Sequence, residues 1–180
     1  MAYAVEMYFD TESDRQIRHL WKELHDKNVS SYMFTSGSRP HISLSVLNSL
    51  DIPDFARKLK EFAEKLKPFE IRFGSIGVFP EPAGVLYLAP IVTEELLKVH
   101  NDFNCVFADY KNEMWYHYLP GIWMPHCTLA TDIHKKDLPL ALKYLLDSSL
   151  PAKARVEEIG IVEFNPIKHH ESFRLQDCGG

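Results

Sequence analysis

Apolar and polar positions alternate with a period of two at the start of the chain. In "AYAVEMYF" (2–9), Tyr3, Val5, Met7 and Phe9 share one side, which predicts a strand. The period then lengthens. Ile17, Leu20, Trp21 and Leu24 recur at helical spacing behind the cap-forming residues Asp10, Thr11 and Ser13, predicting a helix to about Lys27. "SYMF" (31–34) is predicted as a short strand, "SGSRP" (36–40) as a loop and "HISLSVL" (41–47) as a strand. Asp51 caps a second helix, with Phe55, Leu59, Phe62 and Leu66 on one stripe and Pro68 as its stop. "FEIRFGSIGVF" (69–79) and "VLYLAPIV" (85–92) follow as strands on either side of a "PEPAG" turn.

The series then restarts. Thr93 caps a third helix, with Leu96, His100, Phe103 and Phe107 on one side, and an aromatic loop follows, "KNEMWYHYLPGIW" (111–123). "PHCTLAT" is a strand. Asp137 and Pro139 open a fourth helix carrying Leu138, Leu142 and Leu145. "KARVEEIGIVEF" (153–164) and "SFRLQDC" (172–178) are the last strands, with His169–His170 in a solvated turn before the second of them. Each half reads strand, helix, His-x-Ser/Thr strand, helix, strand. Gly77 in "SIGVFP" and Gly160 in "EIGIVEFNP" match as well. The expectation is one domain of duplicated halves, approximately 1–84 and 85–180. Its fold class is α+β, with two pseudosymmetric lobes that each hold an antiparallel sheet and two helices.

The repeated motif carries the candidate chemistry. Residues i and i+2 of a strand point to one face, so His41 pairs with Ser43 and His126 with Thr128, while Ile42, Leu44, Cys127 and Leu129 face the other way. Pro40 and Pro125 precede the two histidines, where a strand can begin without losing a needed N–H. If the halves pack about a pseudo-two-fold axis, two imidazoles and two hydroxyls meet in one groove. Cleaving a phosphodiester in line needs a base for the attacking oxygen, an acid for the leaving oxygen and donors for the non-bridging oxygens. Two histidines, each with an ordinary pKa of about 6.5, supply the first two. Ser43 and Thr128 supply the third. A metal site would want further ligands of the right kind, and neither motif is a nucleophile elbow. His19 and His25, six apart on the first helix, are expected at the surface.

Composition narrows the partners. Hydrophobic residues make up 46% of the 180 and charged residues 25%, and the net charge is −5. The chain has no basic stripe for a DNA duplex or long RNA. The lysines at 27, 58, 60, 65 and 67 stand among glutamates as solvated faces. No apolar run is long enough for a membrane span, and the first residues have no leader-like pattern. Cys105, Cys127 and Cys178 match no zinc spacing and no disulfide framework. These readings place the protein in the cytoplasm, with no metal, no cofactor and no obligate protein partner.

The paired motifs "HISL" and "HCTL", with the helix and strands after each, resemble the 2H phosphoesterase superfamily, and within it the bacterial 2′-5′ RNA ligase and cyclic phosphodiesterase group. The resemblance implies two α+β lobes around a central cleft. It also implies metal-independent hydrolysis of 2′,3′-cyclic phosphates or 2′-5′ phosphodiesters of nucleotides or RNA ends, reversible as ligation. His41, Ser43, His126 and Thr128 are then catalytic, with His126 as base and His41 as acid. Ser43 stands where many members have Thr. Beside the motifs, Tyr118 and Trp123 flank the Pro120-Gly121 bend, and Phe34 and Arg39 precede the first motif. These four are candidate substrate contacts, the aromatics by stacking on a base and Arg39 by meeting a phosphate. Two alternatives stand beside this reading. One is a module that binds a nucleotide or RNA end without turnover. The other is a phosphodiesterase acting on a non-RNA cyclic phosphate such as an ADP-ribose derivative.

Overall fold

The computed structural model describes residues 2–79 and 84–176. Asp10 accepts hydrogen bonds from the N–H groups of Glu12 and Ser13 at 3.1 and 3.0 Å, which starts helix α1 (Thr11–Asp26) directly after strand β1 (Ala2–Phe9). Asp51 caps α3 (Ile52–Ala63) through the N–H of Asp54, and Thr93 caps α4 (Glu94–Val106) through that of Leu96. Asp137 precedes α5 (Leu138–Asp147) without a side-chain cap bond. Strand β2 spans His41–Leu47, β3 Phe69–Phe79, β4 Gly84–Pro90, β5 Cys127–Ile133 and β6 Lys153–Phe164.

Three local expectations are corrected. The segment from Tyr32 to Thr35 is a one-turn helix, α2, not a strand; the Thr35 N–H reaches back to the Ser31 carbonyl at 3.0 Å, and only Met33 of the four is buried. Helix α3 ends at Ala63, ahead of Pro68, and a turn follows it. The last strand, β7, runs Lys168–Arg174, so His169 and His170 lie in it and not in a turn before it. His170 Nε2 is 3.0 Å from Glu163 Oε2, and His169 Nε2–H donates to the Gly37 carbonyl at 2.9 Å. Most of the "PEPAG" turn and Cys178 lie outside the described residues.

The fold is mixed α and β with an antiparallel sheet. Its order is β2-β1-β6-β3-β4-β5, with β7 also on β6. Every named pairing is antiparallel. Strand β6 is long enough to hold two neighbours end to end on one edge. Its residues 153–156 pair with Phe69–Arg72 of β3, and the stretch from Glu158 to Glu163 pairs with β7. The third strands are thereby exchanged: β6 lies beside β1, and β3 lies beside β4. Val5, Met7, Ile42 and Leu44 are fully buried in one core with Ile17, Leu20 and Leu24 of α1. Aromatic rings join α3 to α4 and its end, with Phe55 stacked on Phe107 at 4.4 Å and Phe62 edge-on to Phe103 at 5.8 Å.

Candidate active site

The two end strands of the sheet order, β2 and β5, lie against each other. An end strand leaves backbone groups that need partners. On β2 the aromatic loop supplies them: the Trp115 N–H donates to the Val46 carbonyl at 2.8 Å, and the Asn48 N–H donates to the Glu113 carbonyl at 2.9 Å. On β5 the Ser30 hydroxyl donates to the Thr131 carbonyl at 2.9 Å. Within each motif an indole does the same. Trp123 Nε1–H donates to the Ser43 carbonyl, and Trp21 Nε1–H to the Thr128 carbonyl, both at 3.0 Å. The hydroxyl-bearing residue of each motif is thus held by a tryptophan.

Both imidazoles are anchored alike. His41 Nδ1 lies 2.6 Å from the Arg39 carbonyl, and His126 Nδ1 lies 2.8 Å from the Met124 carbonyl. A carbonyl only accepts, so each Nδ1 carries the proton. Each Nε2 is then the nitrogen that takes a proton when neutral and gives one when charged.

What surrounds them differs. Glu6 Oε1 lies 3.3 Å from His41 Nε2, and the Glu6 side chain is almost wholly buried. The Tyr8 phenol lies near this carboxylate; burial first, then the charge of Glu6, drives the phenol well above its ordinary pKa. His126 instead meets ring edges. Phe79 lies 4.9 Å and Tyr87 5.5 Å from it, and those two rings stack at 4.3 Å. Burial pulls the His126 pKa below the usual histidine range. Its bond to the Met124 carbonyl opposes this, and the nearby His41 charge adds to the lowering. Tyr118 lies beside Ser43; burial pushes its phenol up to about 12, with the charge of Glu6 contributing.

Strand register places these neighbours. Ser43 stands opposite Glu6 on β1, and Thr128 stands opposite Tyr87 on β4. The two matched glycines make room for tyrosines of the same strands. A Cβ on Gly77 would lie 2.2 Å from the Tyr87 ring, and one on Gly160 would lie 2.8 Å from the Tyr8 ring.

A family model described as "2'-5' RNA ligase superfamily" matches residues 9–166, which contain both motifs. The chain belongs to the 2′-5′ RNA ligase superfamily. Solved structures agree in fold. E. coli LigT in its apo form superposes with a TM-score of 0.60 at 15% identity, over 98% of each chain. E. coli LigT complexed with 3′-AMP gives 0.57 at 14% identity, over 97% of this chain and 98% of that one. The complex of LigT with ATP gives 0.58 at 14%, over 98% of each. No curated protein matches the chain.

Within this superfamily fold, some of the expected residues meet and others do not. His41, Ser43, Tyr118 and Glu6 gather on the β2 side, and His126 senses the charge of His41. Trp123 stacks on the buried His100 at 4.0 Å and holds β2, a packing position. Phe34 stacks on His25 at 4.9 Å. Arg39 makes a two-pronged bond to Glu158 at 2.8 and 3.0 Å and lies 3.8 Å above the Tyr8 ring. His19 is exposed, whereas His25 is half-buried. Cys127 is buried and free, Cys105 is exposed and free, and burial pushes the Cys127 thiol up to about 12. Among the described residues no three His, Cys, Asp or Glu side chains form a metal-binding group, and no helix is long and apolar enough to cross a membrane.

Glu6, Phe79, Tyr87 and Trp21 escape a motif-based reading. For Glu6 a signal exists: it is the lone charge in an otherwise uncharged strand, on the face opposite Val5 and Met7. Tyr87 becomes visible only through the register of β4 against β5.

Proposed function

We propose that this protein is a metal-independent phosphoesterase that opens 2′,3′-cyclic phosphates, or cleaves 2′-5′ phosphodiesters, of nucleotides or RNA ends. The observation that carries the reading is the matched anchoring of two imidazoles, each with Nδ1 tied to a carbonyl and Nε2 left for proton transfer, on adjoining strands. LigT, which shares the fold, has been solved with 3′-AMP and with ATP, which agrees with a nucleotide-sized ligand.

In this mechanism His126, held neutral by its buried surroundings, takes a proton from water through Nε2. The water oxygen bonds to phosphorus as the bond to the leaving ribose oxygen breaks. His41 Nε2–H supplies the proton to that oxygen. The hydroxyls of Ser43 and Thr128 donate to the non-bridging oxygens, where the charge is held. Afterwards His126 carries a proton and His41 lacks one, and exchange with solvent resets both. Ligation is the same displacement with a ribose hydroxyl in place of water, His126 taking its proton and His41 protonating the leaving oxygen; run backwards, with the two roles exchanged, the same path cleaves the 2′-5′ phosphodiester. The chain is one domain of duplicated halves, with β2-β1-β6-β7 and β3-β4-β5 as the two lobes and the groove between β2 and β5 as the cleft. Tyr118 and the exposed Phe34 are offered as contacts for the base, and Arg39 for a phosphate.

The test is turnover of a 2′,3′-cyclic nucleotide monophosphate by the purified protein, with and without a chelator. Hydrolysis that is unchanged by the chelator supports the reading. Tight binding of the cyclic nucleotide without any turnover replaces it with a binding module. Loss of activity on chelation, restored by a divalent ion, makes the histidines ligands rather than proton carriers.

A further inference from the structure

A buried carboxylate is unfavourable unless something answers its charge. Glu6 lies near the middle of β1, 5% exposed, and its Oε2 has no hydrogen-bond partner among the described residues. Its Oε1 points at His41 Nε2 from 3.3 Å. A carboxylate beside a phosphate-cleaving groove works against binding an anion, so its presence there calls for a reason. Resting on the function proposed above, we propose that Glu6 is a positioning residue that keeps a proton on His41 Nε2, so that His41 is the acid and His126 the base.

The matching position on the other side is built differently. Glu6 faces Ser43 across β1 and β2, and Tyr87 faces Thr128 across β4 and β5. A repeated frame thus carries a carboxylate at one place and an aromatic ring at the other. Nothing at Tyr87 invites a proton onto His126. Its hydroxyl is directed to the Met124 sulfur at 3.4 Å, and its ring and that of Phe79 make the surroundings apolar.

Several other groups surround His41. Glu6 and Tyr8 face it from β1, Ser43 shares its strand, and Tyr118 lies beside Ser43. From β5 come His126 and Cys127, whose sulfur meets the backbone N–H of His41. Arg39 precedes it, with its charge answered by Glu158. Asp14 acts weakly from further off, on Arg39 and Cys127. The Tyr8 and Tyr118 phenols and the Cys127 thiol all stay protonated near neutral pH. Glu6 is therefore the acidic group that meets the His41 ring directly. At rest it shares the Nε2 proton. In the transition state the leaving oxygen gains negative charge and competes for the same N–H; the proton moves to that oxygen and Glu6 remains a carboxylate.

Glu6→Gln keeps the shape and removes the charge. Two readouts separate this inference from the function beneath it. The first is an NMR titration of the individual imidazoles, which needs no substrate. Glu6→Gln removes the charge 3.3 Å from His41 Nε2, so the His41 midpoint should fall. The second is the pH–rate profile, whose high-pH limb should move down while the low-pH limb keeps its place. Glu6→Asp should retain the wild-type high-pH limb in part. A merely structural Glu6 would lower stability and move neither midpoint nor limb. If Glu6→Gln does not fold, Tyr87→Glu, on a different strand, applies the same logic to the other side: the His126 midpoint should rise. An unmoved His41 midpoint in Glu6→Gln, or an unmoved His126 midpoint in Tyr87→Glu, overturns the inference even when cyclic nucleotides are turned over normally. Shifted midpoints in a protein that turns over no cyclic phosphate keep the Glu6–His41 coupling and overturn the function.

Discussion

His41 and His126 are held by the same bond, Nδ1 to the carbonyl two residues back, and each neighbouring hydroxyl residue has its carbonyl capped by an indole. Around Nε2 the likeness ends. His41 meets a carboxylate, and His126 meets the edges of two rings. A shared frame sets where the imidazoles stand; the strand next door sets what each can do with a proton. Duplication supplies a symmetric pair, and acid–base catalysis needs an unsymmetric one. Here the asymmetry comes from the first strand of each half, opposite the motif and not in it.

Removing each imidazole in turn and varying the leaving group separates the two roles. On a cyclic nucleotide, His41→Ala and His126→Ala should each lose about 10²–10⁴-fold in rate, the usual worth of a general acid or base. On a nitrophenyl phosphodiester, whose leaving group departs without needing a proton, His41→Ala should recover most of that loss and His126→Ala should not. Recovery in His126→Ala alone would reverse the assigned roles. Near wild-type rates in either variant on the cyclic nucleotide would remove that histidine from the mechanism.

Much of this was legible in the residues. The alternation of "AYAVEMYF", the helical spacing from Ile17 to Leu24 and the caps Asp10, Asp51 and Thr93 are local signals, and the backbone obeys them. The pairing of His with Ser or Thr on one strand face follows from a period of two. What was not legible depends on partners far along the chain. The exchange of β3 and β6 is set by long-range pairing, so the series of elements along the chain is unlike the order in the sheet. His169 and His170 look like turn residues because each is polar, but β6 offers them an edge to pair with. Arg39 carries no sequence sign of Glu158, which is 119 residues away. Glu6 was visible as a charge in a strand, yet its partner is across a neighbouring strand.

The two hydroxyls extend the comparison at smaller scale. Ser43→Ala and Thr128→Ala should each slow turnover roughly 10-fold, about the value of one hydrogen bond to a charged group. The Thr128 variant should suffer more, because the Tyr118 hydroxyl beside Ser43 remains as a donor on that side. Single-turnover rates on a cyclic nucleotide measure this. Losses exceeding those of the histidine variants would show that the hydroxyls do more than stabilise phosphate oxygens.

The indoles come next. Trp123→Phe and Trp21→Phe each delete one N–H bond to a motif carbonyl, worth about 1 kcal/mol net in a folded protein. The expected result is a several-fold fall in rate, with Trp21→Phe also lowering the melting temperature more, since Trp21 is 2% exposed in the core while Trp123 is only partly buried. A rate fall in neither variant would mean that the strands hold their hydroxyls without these caps.

The smallest effect concerns stability and pH, and it sets His126 against the other depressed histidine, His100. Burial lowers both pKa values in the folded chain. In the unfolded chain a histidine takes a proton near its ordinary value of about 6.5. Above that pH both states are neutral and these residues contribute nothing to the slope. As pH falls below it, the unfolded chain binds protons that the folded chain resists, so stability falls with pH until the folded imidazoles are protonated in turn. The melting temperature should therefore be level from about 6.5 up to the ordinary thiol range near 8.5, and should decline from about 6.5 towards the carboxylate range. Substituting His126 by Gln removes one of the two contributions, and the decline should become shallower without disappearing, because His100 remains between Trp123 and the Tyr118 carbonyl. Thermal melts of the wild type and His126→Gln at closely spaced pH values measure the difference. An equally steep decline in both would mean that the fold accepts a proton on His126 as readily as water does, and the neutral base argued for that side of the site would be lost.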